Sequence, residues 1–270
     1  MKVAIVCVNY NSYDSLNNYL YSIEKATIEA NGKVEVTVYV ADNSVNKEEY
    51  DITSFCNIEV KKGCFDNLGY LGGAFAMINA MDEDERFSYD FIAISNVDVT
   101  IRDDFFINLI ESKIDKNIAW VAPSIYFEQL KKVGSEEWSK RPSSRKMRFY
   151  DFLYAHPFVH FLYWIASRLR HHAVSNTESG ERLIYSGYGS FMLFSKSFIC
   201  KQTKWEYKPF LYGEEVFFAE MALRYDMKVL YAPQLRINDI GNVSTRKIGS
   251  WKKMKIQRES NRYLYEEFFK

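Results

Sequence analysis

Apolar residues in this chain fall into short unbroken runs separated by longer stretches of helical period. Val3–Val8 is one such run, Val34–Ala41 is a second, rich in β-branched residues, and Phe91–Ser95 is a third. Runs of this length closed by polar residues read as strands buried on both faces. Between them, one helix is expected from a Ser12 cap to about Ala30, stopped by Asn31-Gly32, and another from the loop at 66–73 to about Met81. A weaker strand is expected near Ile58–Lys61, a helix from Asp103 or Asp104 to about Ile114, and a strand over Ala119–Ser124. Further on, Leu183–Phe194 reads as a strand interrupted by Gly187 and Gly189, Glu214–Tyr225 as a helix, and Lys228–Tyr231 as a short strand. This alternation predicts an α/β fold: a doubly wound, mostly parallel central sheet with helices on both faces. The pattern changes after Pro123, so residues 1–125 and 126–270 are expected as two halves of one compact unit.

The predicted strands end in polar clusters, and in a parallel sheet those ends converge on one edge, where ligands bind. Asn96-Val97-Asp98 closes the third run; Asp98 is a candidate ligand for a hard cation such as Mg²⁺ or Mn²⁺, or else part of an ordinary turn. Tyr10 and Asn11 follow the first strand and Asp42-Asn43-Ser44 the second. Tyr10 could stack on a nucleobase, and Ser12 and Ser44 could simply cap helices. Asn67-Leu68-Gly69-Tyr70-Leu71-Gly72-Gly73 is a glycine-rich helix entry, able to let backbone approach a phosphate or ribose. It is not Gly-x-Gly-x-x-Gly after a first strand, which argues against a dinucleotide fold. Glu214-Glu215 opens a helix after Pro209-Phe210-Leu211-Tyr212-Gly213, where the dipole favours the ionised form that a general base needs.

Lys+Arg and Asp+Glu are both 35, so there is no bulk charge for nucleic acid. No stretch approaches a transmembrane helix, and the apolar N-terminus is too short for a signal peptide. The four cysteines form no Cys-x-x-Cys pair, as expected for reduced thiols of a cytoplasmic protein. Residues 128–172 hold nine basic and four acidic side chains, and within them 149–165 is dense in Phe, Tyr, Trp and Leu. Phe149, Phe152, Leu153, Phe158, Phe161, Leu162 and Ile165 could lie in the inner face of a membrane, with Arg168 and Arg170 meeting anionic head groups; the alternative is a helix pair on the core or at a homodimer interface. His156 and His160, four apart, could share one helix face, and with His171 and His172 they lack a clear third ligand. The tail from Arg246 to Arg258 has six basic residues and no acidic one.

Taken together the motifs resemble glycosyltransferase family 2, the inverting enzymes of the GT-A fold. The resemblance runs from Val6-Cys7-Val8-Asn9-Tyr10-Asn11 through Val40–Ser44, Asn67–Gly73, Asn96–Val99 and Gly187–Phe194 to Phe210–Glu215. It implies a nucleotide-diphosphate sugar donor, a UDP-sugar favoured, bound by residues 1–125, with Mn²⁺ or Mg²⁺ as cofactor. The acceptor, a glycan or polyprenol-diphosphate-linked glycan of a bacterial surface polysaccharide, would bind 126–270. Donor contacts would come from Tyr10, Asn11, Asp42, Asn67, Gly69, Gly72, Gly73, Asn96 and Val97; Asp98 would hold the metal, Glu215 would be the base and Glu214 its neighbour. Three departures stand out. Asn96 replaces the first Asp of the metal motif, Glu215 replaces Asp as base, and Asp239 stands, counting from Pro233, where the family often has a metal-binding His. A sugar-1-phosphate nucleotidyltransferase would need a Gly- and Arg-rich loop after the first strand, which Asn9–Ser12 is not. A non-catalytic nucleotide-sugar-binding or scaffold member of the same fold is the alternative function.

Overall fold

The computed structural model describes residues 1–48, 54–134, 136–170, 180–241 and 249–270, with backbone alone at Trp164 and 166–170. The strands are β1 (Lys2–Asn9), β2 (Glu35–Asp42), β3 (Glu59–Cys64), β4 (Phe91–Asn96), β5 (Val99–Ile101), β6 (Ile118–Phe127), β7 (Lys132–Gly134), β8 (Arg182–Ile184), β9 (Phe191–Ser195) and β10 (Lys228–Asp239). The helices are α1 (Tyr13–Glu29), α2 (Tyr70–Ala80), α3 (Glu83–Ser88), α4 (Phe105–Glu111), α5 (Ser144–Ala155), α6 (Pro157–Arg170), α7 (Lys196–Lys201), α8 (Glu214–Arg224) and α9 (Ser250–Leu264), the last running into a π turn at Tyr265–Phe269. They form a mixed α/β fold around one sheet, in the order β3-β2-β1-β4-β9-β6-β10-β5, with β7 beside β6 and β8 beside β10. β1, β2, β3, β4, β6 and β10 all run one way; β5, β7, β8 and β9 run against them.

Strand side chains alternate between two cores. Ala4, Val6, Met192 and Phe194 pack with Leu71, Phe75 and Ile78 of α2 and Phe217 and Phe218 of α8. Val3, Ile5, Phe191 and Leu193 pack with Leu16, Leu20 and Ile23 of α1 and Phe105, Phe106 and Leu109 of α4. Cys7 is wholly buried in this second core, and burial pushes its thiol up to about 12, so it is inert packing.

Several sequence expectations need correction. Ser12 sits at the N-cap of α1 but makes no side-chain cap; its hydroxyl donates to the Tyr10 carbonyl, 3.1 Å. Ser44 caps no helix; its oxygen accepts from the Asn11 N–H at 2.8 Å instead. Leu183–Phe194 is two strands, β8 and β9, broken around Gly187 and Gly189. The short strand at Lys228 continues to Asp239, because a register shift between Ala232 and Arg236 carries it past Pro233. His156 and His160 do not share a helix. Pro157 forces its predecessor out of the α region, so His156 (φ −125°, ψ 88°) ends α5 and Pro157 starts α6. Leu153 is 1% exposed and faces the core rather than the outer surface. His171, His172, Arg246 and Lys247 lie outside the described residues, as do the side chains of Arg168 and Arg170.

Candidate active site

The C-terminal ends of β1 and β2 are knitted together below the surface. Asp42 is fully buried, and its carboxylate accepts from Tyr13 Oη (2.9 Å), Asn9 Nδ2 (3.3 Å) and the Ser44 N–H (3.2 Å), with Lys62 Nζ at 3.3 Å. Burial alone would raise its pKa; the Ser44, Tyr13 and Lys62 contacts outweigh that and hold it below the usual carboxylate range. Asp42 is thus an interior post in this conformation, while Tyr10 and Asn11 stay accessible above it. Asn11 adopts φ 50°, a left-handed conformation that Asn tolerates.

Asn43 carries the link onward. Its Nδ2 donates to the Gly69 carbonyl, 2.8 Å, and Gly73 packs so closely on its amide that a methyl there would lie 2.6 Å from Nδ2. Gly69 has φ +78°, and a methyl on it would sit 1.9 Å from the Phe210 carbonyl oxygen. Only glycine permits both the conformation and the approach. The glycine loop is therefore clamped between Asn43 and the segment that leads to Glu214. Asn67, exposed at its rim, accepts from the Gly69 N–H at 3.3 Å; Gly72 is half-buried beside it and Gly73 is buried.

The turn before α8 is strained. Tyr212 (φ 71°) and Gly213 (φ +85°) are both left-handed. The Tyr212 carbonyl is held by the Tyr207 hydroxyl (2.6 Å) and the Ser260 hydroxyl (2.5 Å), so α9 fixes this turn. Glu214 and Glu215 follow. Both keep partial access to solvent yet are surrounded by protein, the situation of groups on a cleft floor. The helix start is expected to favour ionised carboxylates, but burial overrides it and pushes Glu214 up to about 7, with the charge of Glu137 adding to the rise. Burial, then the charges of Glu214 and Glu137, raise Glu215 well above the carboxylate range. The pair titrates as a unit.

Gly189-Ser190 joins these pieces. The Tyr70 hydroxyl, in the glycine loop, donates to the Gly189 carbonyl at 2.8 Å. A methyl on Gly189 would lie 2.8 Å from both Glu214 Cγ and Glu215 Oε1. The Ser190 carbonyl accepts from the Asn96 N–H at 3.0 Å. Val97 is in the core, and Asp98 is largely buried, its carbonyl accepting from the Ile240 N–H at 3.0 Å. That bond brings Asp239 to Asp98. Burial, then the Asp98 charge, push Asp239 up to about 6. Tyr70, whose own pKa burial raises strongly, feels the charges of Glu214, Glu215 and Asp98, so the three carboxylates share one neighbourhood.

Glu137, Tyr70 and Gly189 are site residues whose importance sequence reasoning missed. Glu137 lies in the basic region 128–172 with no local motif around it, and Tyr70 and Gly189 sit inside motifs whose neighbouring residues carry the recognisable chemistry. Among the described residues no group of three His, Cys, Asp or Glu is arranged to hold a metal ion. A carboxylate whose pKa is raised by a neighbouring carboxylate still suits a divalent cation, which takes one or two carboxylates and completes its shell with phosphate oxygens and water. Asp98 and Asp239 fit that donor set.

No protein-family model and no curated protein matches the chain in sequence. Solved structures match it in shape. GalNAc-T7, solved with UDP, GalNAc and Mn²⁺, aligns over 98% of this chain and 50% of its own length at 13% identity and TM-score 0.58. Residues 1–349 of S. aureus TarS, in complex with UDP-GlcNAc, align over 97% of this chain and 66% of that one at 11% identity and TM-score 0.51. The fold is GT-A-like, as the motifs imply. The chain spans between half and two-thirds of these proteins, and at such identity the likeness is one of fold.

Phe149, Phe152, Phe158, Phe161, Leu162 and Ile165 of α5 and α6 are all exposed, as is Trp251 at the start of α9. No helix among the described residues is long and apolar enough to cross a membrane.

Proposed function

We propose that this chain is an inverting glycosyltransferase of family 2, moving a sugar from a nucleotide-diphosphate donor, a UDP-sugar favoured, to a glycan or lipid-linked glycan acceptor of a surface polysaccharide. The observation that carries the reading is the convergence on Gly189-Ser190 of a glycine loop, the Asp98–Asp239 pair and the Glu214–Glu215 pair, at the ligand-binding edge of a GT-A-like sheet. In this reading Tyr10, Asn11, Asn67 and Gly72 offer accessible surface to the nucleoside and phosphates, and Asp42 and Asn43 brace that surface from below.

Glu215 accepts the proton of an acceptor hydroxyl. The oxygen then bonds to the anomeric carbon from the face opposite the diphosphate, the carbon–phosphate oxygen bond breaks, and the nucleoside diphosphate leaves. A raised pKa makes a carboxylate the stronger base once it is ionised, and Glu214 beside it is raised as well. Asp98 and Asp239 would hold Mn²⁺ or Mg²⁺, which when bound neutralises diphosphate charge. The exposed aromatic face of α5 and α6, with Arg145, Arg148, Lys252 and Lys255 nearby in sequence, would rest on an anionic membrane surface and so reach a lipid-linked acceptor.

Release of UDP from UDP-GlcNAc or UDP-GalNAc in the presence of Mn²⁺ tests the enzyme. Activity in the wild type and loss of turnover in Glu215→Gln, with donor binding retained, is the expected result. An active Glu215→Gln variant overturns the base assignment. A second reading, binding without turnover, draws on the absence of a three-ligand cluster among the described residues; a wild type that binds UDP and never releases it from a donor would favour that reading.

A further inference from the structure

A cavity of about 270 Å³ lies on the small sheet made by the ends of β6 and β10 with β5 and β7. It is lined by Arg102, Ser124, Tyr126, Val133, Arg236 and Asn238, and no carboxylate takes part. Ser124 and Tyr126 alternate along β6, and they pair in register with Arg236 and Asn238 of β10, so all four project from one face. Arg102 joins them because its N–H bonds the Arg236 carbonyl at 3.2 Å. Asp239 projects from the opposite face of β10. None of the carboxylates of the Asp98–Asp239 and Glu214–Glu215 pairs lines the cavity.

The polar lining is unused. Among the described residues, neither guanidinium makes an ion pair, and the side chains of Arg102, Arg236, Ser124, Tyr126 and Asn238 make no hydrogen bond to protein. Ser124 is 4% exposed as a residue and lines this cavity. Two guanidiniums lining one concavity repel each other, and an anion held between them would relieve that repulsion.

We propose that this cavity is a binding site for a small anionic sugar, one carrying a phosphate or a carboxylate. The guanidiniums present planar forks that match either anion in a bidentate way. The Ser124 and Tyr126 hydroxyls and the Asn238 amide both donate and accept, as sugar hydroxyls require. Val133 supplies an apolar patch for a ring face. The volume falls just below the range of sites for drug-sized ligands, which suits one sugar residue and excludes a whole nucleotide sugar. The anion can belong to a free sugar acid or to one residue of a longer glycan.

The test is isothermal titration of the full chain with glucose 6-phosphate, galacturonate, tetragalacturonate and glucose, in the presence of saturating UDP and Mn²⁺. The phosphorylated and carboxylated sugars are expected to bind and glucose is not. Arg102→Gln and Arg236→Gln should each weaken binding about tenfold or more, the effect of losing one charge-assisted hydrogen bond. Both side chains are exposed, so thermal unfolding should be unchanged, and that measurement guards against misfolding. Tetragalacturonate binding at least as tightly as the monomer assigns the site to a glycan; monomer binding with the tetramer excluded assigns it to a free acid. Equal affinity for glucose, or acid-sugar binding unmoved in the double variant, overturns the proposal.

Discussion

Replacing Glu215 by glutamine should leave the protein inactive and, above neutral pH, more stable. The carboxylates at the start of α8 sit where ionisation is disfavoured. Burial and the Glu137 charge bring Glu214 from 4.5 to about 7, and Glu215 is raised further by Glu214 itself. Below pH 4.5 both the folded and unfolded states hold the protons, and the pair costs nothing. Between 4.5 and about 7 the folded state keeps a proton that the unfolded chain has released, so stability falls as pH rises. Above about 7 the penalty from Glu214 is complete, while that from Glu215, whose pKa is raised further, goes on growing. For Glu214 the shift corresponds to about 3 kcal/mol, a figure that belongs to the pair and is an upper bound because both side chains retain some solvent. In a chain of this size that is up to about 10 °C in Tm. Glutamine keeps the shape and removes the charge. The assay is a melting curve at half-unit steps from about pH 5 to 9 for the wild type, Glu214→Gln, Glu215→Gln and, as an exposed control, Glu259→Gln. Wild-type Tm should fall across neutrality, the two α8 variants should fall less and melt higher at pH 8, and the control should track the wild type. Cooperative unfolding of Glu215→Gln at or below the wild-type Tm at pH 8 would refute the reasoning, since the carboxylates would then not be held against their preference.

Asp98→Ala should abolish the thermal stabilisation that UDP gains from Mn²⁺, which is about 2.7 kcal/mol when ligand exceeds Kd a hundredfold; undiminished stabilisation would remove Asp98 from the metal site. The same variant should let Asp239 titrate below its present value of about 6, since one of the three raising influences, the largest after burial, is gone, and carbon-detected NMR of the carboxyl would show it. Gly69→Ala should cost at least about 2 kcal/mol in urea unfolding, because it combines a left-handed φ with a methyl 1.9 Å from the Phe210 carbonyl oxygen; a cost under about 0.5 kcal/mol would mean that the loop is not clamped. Phe158→Ser with Phe161→Ser should abolish co-sedimentation with vesicles of anionic lipid and leave UDP release unchanged; wild-type binding that ignores lipid charge would argue for a protein partner on that face.

The first strands were legible because they are buried on both faces and therefore continuous in the sequence. The apolar runs at Val3 and Val34 became β1 and β2 almost residue for residue. Direction and neighbourhood were not legible, since an apolar run looks the same whichever way it runs. Nothing local tells that Phe191–Ser195 enters antiparallel between β4 and β6. Pro233 hid the length of β10 because proline normally ends a central strand, and here a bulge lets the strand pass.

The site divides along the same line. Residues whose chemistry is advertised by a local pattern, Asp98 after a strand or Glu214-Glu215 at a helix start, could be nominated from the sequence. Residues whose role is to bring those patterns together could not. Glu137 reaches the cleft only because its N–H bonds the Ser186 carbonyl at 3.2 Å, across 49 positions of chain. Gly189 matters because three elements meet at one backbone unit: a tyrosine hydroxyl on its carbonyl, two carboxylates against its Cα, and Asn96 on the next residue's carbonyl. A side chain at that point would push the Glu214–Glu215 pair away from the Asp98–Asp239 pair, and misplacement of about 1 Å can cost about a hundredfold in rate. Reading the glycines there as an interruption finds the break between β8 and β9 and is silent about its reason, which is the crowding of the site itself.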